Sequence, residues 1–249
     1  MRREIPTPRR AAPVEARVRR GYFECRFGQL HVHNSIPPGG GFEEASALLC
    51  LHDWPGSGRV FGRFLSLAGQ DRSVYAPDLP GFGESDPPTP APAISDYAAA
   101  IIDFLDSMRL RQLDVLGQRA GVLIATELAV TRPTQISRIV LVSPPLLTEA
   151  ERTAGAAAGA PPADAALRPP DWQRWALQAA AHYPLRERLA RVTQRVLVLR
   201  PRDELWDAAG RVREALPAAR LLEFESPGAE LFAGAAPRTA EAVREFLRG

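Results

Sequence analysis

Residues able to take part in chemistry directly follow the apolar runs of this 249-residue chain. They are, in chain order, His52, Asp53 and Trp54, then Gln118, Arg119 and Ala120, then Asp203 and Glu204, and finally Glu230. Imidazole and carboxylate groups can carry protons in general acid–base catalysis, and a guanidinium can bind a carboxylate or phosphate through paired hydrogen bonds. A guanidinium is neither a nucleophile nor a base, because it stays protonated in proteins. The residue types therefore allow acid–base chemistry or anion binding, with Arg119 as a cation.

The apolar runs that precede these residues are short and continuous, as Ala47–Leu51 is, and this is typical of buried parallel strands. They alternate with helical patterns, including 120–131 and 207–216, which predicts a mainly parallel sheet with helices on both faces. Two further strands, 21–27 and 29–34, predict an antiparallel hairpin at one edge. The expected fold class is α/β, doubly wound, and ligands of such sheets bind at the carboxyl ends of the strands.

The chain is expected to form one domain over 21–249, preceded by a tail. Residues 1–20 carry seven arginines and are predicted to be a disordered, solvated extension without a nucleic-acid partner. Because no apolar run of signal-peptide length follows these arginines, the expected location is the cytoplasm. Residues 146–183 include a stretch rich in Ala, Gly and Pro, which predicts a short, mobile lid over the sheet.

Composition excludes several kinds of site. The chain has 31 arginines and no lysine, so it cannot form an internal Schiff base, anchor pyridoxal phosphate or use a P-loop lysine. No stretch of about 18 apolar residues occurs, and no membrane span is expected. Cys25 and Cys50 lie in strand-like runs without metal or disulfide spacing. No cofactor is expected.

Two histidines, His31 and His33, alternate on one predicted strand and therefore share a face. Two histidines without a third ligand make a weak metal site, so no metal is expected there. The pattern favours a strand face in contact with solvent.

Three loops together resemble those of the α/β-hydrolase superfamily, and the resemblance runs from about residue 21 to 247. The loops are 52–58, the D-x-x-G-x-G-x-S turn at 78–85, and Gly117-x-Arg119-x-Gly121. The resemblance implies a nucleophile elbow at the third loop and an oxyanion hole from the amides of Asp53 or Trp54 together with Ala120. It also implies that His52 shapes the oxyanion loop, and it places Gln118 beside the pocket.

This chain departs from the family pattern at two of the three positions of a Ser-His-Asp triad. Arg119 stands where the resemblance implies the nucleophile, and Glu230 stands where it implies the histidine. The acid position is held by Asp203 or Glu204. Arg119 and Glu230 are therefore predicted to form a salt-bridged cluster, with Asp203 or Glu204 nearby, and ordinary acyl-enzyme hydrolysis is not expected.

Several functions remain compatible with these residues. The favoured prediction is a noncatalytic relative that binds a small molecule or serves as a scaffold, with the cluster either filling the old pocket or binding a small anionic ligand through Arg119. A first alternative is an unorthodox hydrolase or lyase for small carbonyl substrates, which would use the oxyanion amides with His52, Glu230 or a water as base. Whether the chain is an enzyme, and its oligomeric state, stay open.

A second alternative is a dinucleotide-binding oxidoreductase. Gly56, Gly58 and Gly62 follow an apolar strand, and Asp78 lies twenty residues after Gly58. This spacing resembles a dinucleotide fingerprint. His52 to Pro55, however, hold the first glycine away from the end of the strand, where the pyrophosphate turn would begin.

Overall fold

The computed structural model describes residues 16–38, 40, 45–158 and 170–249. Within them, eight strands form one sheet in the order β1-β2-β4-β3-β5-β6-β7-β8. The strands are β1 (Val18–Cys25), β2 (Gly28–Ser35), β3 (Ala47–Leu51), β4 (Val74–Pro77), β5 (Leu113–Gln118), β6 (Ile136–Val142), β7 (Arg195–Pro201) and β8 (Arg220–Phe224). β1 and β2 are antiparallel, whereas β3 to β8 pair in parallel. The mostly parallel sheet with a leading hairpin confirms the predicted fold class.

The helices cover both faces of this sheet. They are α1 (Gly62–Ala68), α2 (Ile94–Ser107), α3 (Ala120–Thr131), α4 (Glu149–Ala158), α5 (Asp171–His182), α6 (Leu185–Leu189), α7 (Trp206–Gly210), α8 (Val212–Ala215) and α9 (Ala236–Arg248). Side chains of α1 and α9 pack in one apolar cluster and those of α2 and α3 in another. Alternate residues of β3 enter the two clusters, because successive side chains of a strand point to opposite faces.

The hairpin begins earlier than the sequence predicts. β1 starts at Val18, so Arg19 and Arg20, which were expected in the tail, pair with residues of β2. Residues 1–15 of the predicted tail lie outside the described residues. Gly28 begins β2 with φ +111°, and a Cβ there would lie 2.3 Å from Asp86 Oδ2, so the turn requires glycine.

One other segment differs from expectation. The single helix predicted over 207–216 is wrong, because the chain forms the two short helices α7 and α8, with Arg211 between them. The Ala-rich part of the predicted lid forms α4, as the high helix propensity of alanine favours, and 159–169 lie outside the described residues. No helix in the described ranges is long and apolar enough to cross a membrane.

The strand order reverses at β3. From β3 the chain proceeds to β4 on one side, and β5 then lies on the other side. This arrangement creates a switch point where the loops after β3 and β5 face each other at the carboxyl edge of the sheet. The first of these loops carries Asp53 and the second carries Arg119.

Candidate functional site

Arg119 occupies a strained turn between β5 and α3. Its backbone has φ 49° and ψ −109°, a conformation that a bulky residue adopts only when its surroundings impose it. Two glycines let the turn close. A Cβ on Gly117 would lie 2.5 Å from Gly121 O, and a Cβ on Gly121 would lie 2.2 Å from Leu51 O. The sharp elbow is therefore present although no nucleophile stands on it.

The guanidinium of Arg119 lies among three carboxylates. Nη2 donates to Asp203 Oδ2 at 3.1 Å and to Glu204 Oε2 at 3.0 Å, while Nη1 donates to Glu204 Oε1 at 2.5 Å. Nε lies 3.9 Å from Asp53 Oδ2. The hydrogen bonds to Glu204 raise the pKa of Arg119, and the same contact lowers the pKa of Glu204. The side chain of Arg119 is 23% exposed, so the cluster lies at the edge of the protein interior.

Asp203 is the most buried carboxylate of the three, with a side chain that is 5% exposed. Its Oδ2 also accepts a hydrogen bond from the Ser143 hydroxyl at 2.6 Å, and its Oδ1 accepts one from the Leu205 amide at 3.0 Å. Ser143 directly follows β6 and has φ +48°. Sequence reasoning missed Ser143, although its place at the carboxyl end of a parallel strand was a signal for the site.

Asp53 occupies the predicted oxyanion hole with its own side chain. The amide of Ala120, expected to bind an oxyanion, donates to Asp53 Oδ1 at 3.2 Å. Burial raises the pKa of Asp53, and hydrogen bonds from the Ala120 and Trp54 amides and the charge of Arg119 oppose that rise. The Asp53 carboxylate therefore already accepts the hydrogen bond of the Ala120 amide, the donor that is expected from the sequence to bind an oxyanion.

His52 links the two loops that flank the site. Its Nδ1 bonds the carbonyl oxygen of Asp53 at 2.7 Å, and the amide of Leu79 donates to its Nε2 at 2.8 Å. These partners assign the neutral tautomer with the proton on Nδ1. Burial lowers the pKa of His52 to about 4. Gln118 is buried directly before the elbow, and its Oε1 has no hydrogen-bond partner among the described residues.

Glu230 does not join the cluster, and its predicted pairing with Arg119 is wrong. The 3₁₀ turn Gly228–Glu230 leaves the Glu230 side chain exposed, where its Oε2 accepts a hydrogen bond from the Gly234 amide at 3.1 Å. Among the described residues, the ion-pair partners of Arg119 are Asp53, Asp203 and Glu204. The backbone of the Glu230 loop still approaches the site, since a Cβ on Gly228 would lie 2.5 Å from Asp203 Oδ2.

The expectation that His31 and His33 face solvent is also wrong. The two residues are 1% and 6% exposed, and both rings point towards the fully buried Asp78. β2 pairs with β4, and Asp78 follows β4 directly, so strand pairing places the carboxylate beside the histidines. Asp78 is the third polar group that sequence reasoning did not connect with them.

Comparison with known proteins agrees with the architecture. A hydrolase from Pseudomonas aeruginosa PA01 has a similar structure with a TM-score of 0.74 and 17% identity, covering 92% of this chain and 98% of that chain. The enol-lactonase from Burkholderia xenovorans LB400 also has a TM-score of 0.74, with 16% identity, covering 92% of this chain and 100% of that chain. At these identities the likeness shows the fold alone.

Sequence similarity supplies the family. Juvenile hormone epoxide hydrolase of Bombyx mori is 34% identical over 101 residues, which are 37% of this chain and 22% of that protein. The Abhydrolase domain-containing protein abhd-5.2 of Caenorhabditis elegans is 27% identical over 101 residues, 39% of this chain and 23% of that protein. The chain thus spans less than a third of the length of these curated relatives. A family model described as alpha/beta hydrolase fold matches residues 46–218, more than half of the chain, and the chain therefore belongs to the alpha/beta hydrolase fold family.

Proposed function

We propose that this chain is a noncatalytic member of its family, in which an internal ion cluster fills the former catalytic centre and the protein acts by binding or scaffolding. The observation that carries the proposal is the hydrogen bond from the Ala120 amide to the Asp53 carboxylate, beside Arg119 on the elbow. Arg119 stands where a nucleophile would be, and the Asp53 carboxylate is an anion where negative charge of a substrate would develop.

The serine hydroxyls near the site do not replace the missing nucleophile. Ser143 is 1% exposed and therefore out of reach of a substrate, and its hydroxyl donates to Asp203, a carboxylate that is also paired with Arg119. The hydroxyl of Ser85 donates to the carbonyl oxygen of Asp78 and accepts from the amide of His31. Each hydroxyl therefore has a structural partner, and neither has the adjacent imidazole that activates a serine.

The alternative of a receptor for small anions has less support. Both terminal nitrogens of Arg119 already bind carboxylates, and three carboxylates around one guanidinium leave a formal charge of −2. An anionic ligand would have to displace Glu204, whose side chain is 69% exposed, and would meet repulsion from Asp53 and Asp203. This cluster resembles a closed ion network more than a binding site with free donors.

The two enzymatic alternatives need groups that are already engaged. A carbonyl-directed hydrolase or lyase would have to move Asp53 away from the Ala120 amide before that amide could act. A dinucleotide enzyme would need Asp78 free for ribose hydroxyls, yet this carboxylate is fully buried and accepts the Gly58 amide at 2.7 Å.

Two experiments test the proposal. Purified protein is incubated with a fluorophosphonate probe, which labels activated serines, and we expect no labelling. Labelling of any serine would overturn the noncatalytic assignment.

A thermal-shift series with acetate and phosphate, on wild type and Arg119→Met, distinguishes a centre filled by the ion cluster from a binding site for small anions. We expect no stabilisation of either protein, whereas a shift in wild type that Arg119→Met abolishes would show an anion site.

A further inference from the structure

A second cluster of polar side chains lies away from Arg119, where β2 meets the loop after β4. His31 Nδ1 lies 2.9 Å from Asp78 Oδ2, and His33 Nε2 lies 3.6 Å from Asp78 Oδ1. One ligand atom from each of the three residues can be chosen so that all lie within 4.8 Å of one another. All three residues are buried.

Hydrogen bonding leaves one atom of this cluster without a partner. His33 Nε2 is buried, has no hydrogen-bond partner among the described residues, and faces Asp78 Oδ1 across a gap too long for a hydrogen bond. A buried polar nitrogen without a partner costs free energy, so such an atom calls for an explanation. The gap itself is informative, because two ligands of a tetrahedral Zn²⁺ lie roughly 3.4 Å apart when each is about 2.1 Å from the metal.

The buried negative charge of Asp78 also favours a metal ion at this position. Asp78 has no exposed surface; it accepts hydrogen bonds from the neutral backbone amides of Gly58 at 2.7 Å and Glu84 at 2.9 Å and is hydrogen-bonded to His31 Nδ1 at 2.9 Å. A buried carboxylate requires a nearby cation. His31 Nδ1 is at hydrogen-bond distance from Asp78, whereas His33 Nε2 stays 3.6 Å from the other carboxylate oxygen, a separation that fits two ligands of one metal ion better than a hydrogen bond.

The surroundings of His31 suit a metal ligand. When Nδ1 binds a metal, its proton moves to Nε2, and this atom lies 3.8 Å from Glu84 Oε2. Glu84 is held in turn by the Tyr22 hydroxyl, which donates to Oε2 at 2.9 Å. A groove of about 670 Å³, lined in part by His31, Glu84 and Tyr22, gives an approach from solvent. An outer carboxylate commonly supports a metal-bound histidine, and Glu84 Oε2 is the carboxylate oxygen that faces His31 Nε2, at a distance too long for a hydrogen bond.

The loop that carries Asp78 is built closely around its carboxylate. Gly83 has φ +58°, and a Cβ there would lie 2.1 Å from Asp78 Oδ2. Gly58 approaches from the other side, where a Cβ would lie 2.9 Å from His33 Cδ2. Any larger residue at these two positions would clash with the Asp78 carboxylate or the His33 ring. The three ligand residues are therefore held in position by one strand and one tight loop.

We propose that His31, His33 and Asp78 bind a divalent transition-metal ion, with Zn²⁺ as the best match to two imidazoles and one carboxylate. Three protein ligands leave one coordination position for a water or an external ligand. The site is independent of the proposed function, because none of its residues touches the Arg119 cluster in the described structure. Its role includes tying the hairpin to the loop after β4.

The first test measures retained metal. Protein stripped with a chelator is loaded with ZnCl₂, passed through a desalting column and assayed for zinc by mass spectrometry. The variants are His33→Gln and, as a matched control, His182→Gln, which changes an exposed histidine of α5. We expect about one zinc per chain in wild type and His182→Gln and a loss of at least ten-fold in His33→Gln. Equal retention by wild type and His33→Gln, or none in wild type, would overturn the proposal.

The second test needs no variant and keeps the proposal falsifiable if His33→Gln folds poorly. Stripped wild type is titrated with CoCl₂, and visible absorption is recorded. Coordination by two imidazoles and a carboxylate in a low-symmetry site should give bands several-fold more intense than those of aqueous Co²⁺, and equimolar ZnCl₂ should remove them. A spectrum identical to that of aqueous Co²⁺ would contradict the site.

Discussion

The Arg119 cluster and the His31–His33–Asp78 cluster both use charged side chains at the carboxyl edge of the sheet, but their bonding differs. In the first, three carboxylates surround one guanidinium, and the Ala120 amide donates to Asp53. In the second, Asp78 is fully buried, and His33 Nε2 faces it without a hydrogen bond. In the first cluster both terminal nitrogens of the guanidinium donate to carboxylates, whereas the second cluster contains a buried nitrogen without a hydrogen-bond partner among the described residues. Both clusters contain residue types that could react or bind a ligand. They differ in whether the polar atoms of those residues already have hydrogen-bond partners within the protein.

Close backbone packing holds the turn between β5 and α3 that carries Arg119. Gly121→Ala would disrupt this packing. The added Cβ would lie 2.2 Å from Leu51 O, in the backbone of β3. We expect the free energy of unfolding to fall by about 4 kcal/mol, because backbone cannot move aside. Gly62→Ala is the matched control: its Cβ would meet open space, and because alanine is the better helix former the change should leave stability equal or raise it by up to about 1 kcal/mol. Equal effects in urea titrations would contradict the packing argument.

The loop that carries Asp53 depends on a neutral His52, and pH tests this dependence. Burial lowers the pKa of His52 from 6.5 to about 4 in the folded protein. The folded state therefore disfavours protonation, so the stabilisation is present above pH 6.5 and is lost as the pH falls towards 4. The loss is about 3 kcal/mol. Urea titrations at both pH values should show a smaller decrease in His52→Gln than in wild type, and equal decreases would refute the assignment.

Removing the cation from the closed cluster tests its contribution to stability. Arg119→Met leaves the buried Asp203 carboxylate with the Ser143 hydroxyl and the Leu205 amide as its hydrogen-bond partners among the described residues. We expect a loss of about 2 kcal/mol, below the usual cost of breaking a buried pair because Arg119 is partly exposed. Arg119→Met combined with Asp203→Asn should recover part of this loss.

A surface pair provides the control for that experiment. Arg186 and Glu214 form an ion pair of 2.9 Å in which both side chains are about half exposed. Arg186→Met should change the free energy of unfolding by about 0.5 kcal/mol or less. A loss in Arg119→Met no larger than in Arg186→Met would show that the cluster at the elbow contributes as little as an ordinary surface pair.

The smallest effect is expected at Glu230, which lies outside the Arg119 cluster. Glu230→Gln keeps an oxygen that can accept the Gly234 amide and removes a charge that Arg119 does not contact. We expect a change of about 0.3 kcal/mol or less in the free energy of unfolding. A loss comparable to that of Arg119→Met, measured by the same urea titration, would place Glu230 back in the cluster.

The sequence predicts those parts of this molecule that depend on local pattern. Apolar runs alternating with helices predict the sheet, and Gly117 with Gly121 predicts the elbow, because the close approach there admits no side chain. The local sequence did not predict that the Asp53 side chain points to the Ala120 amide or that the Glu230 side chain points to solvent. Side-chain direction in a loop depends on neighbours far away in the chain.

Burial on the hairpin illustrates the same limit. His31 and His33 share a strand face, which the spacing predicts, but their exposure depends on what covers that face. β4 pairs with β2, and the loop 78–85 then covers the two rings. A solvated strand face was predicted because this long-range pairing is not visible in the local sequence.

Turnover of p-nitrophenyl acetate by wild type, Arg119→Met and a protein blank tests the central claim most directly. A closed, noncatalytic centre predicts that wild type and Arg119→Met hydrolyse the ester at the same rate, within a few-fold of the blank, because neither the elbow nor the Ala120 amide is available to the substrate. A saturable rate in wild type well above the blank, lost in Arg119→Met, would contradict the account and assign Arg119 to catalysis.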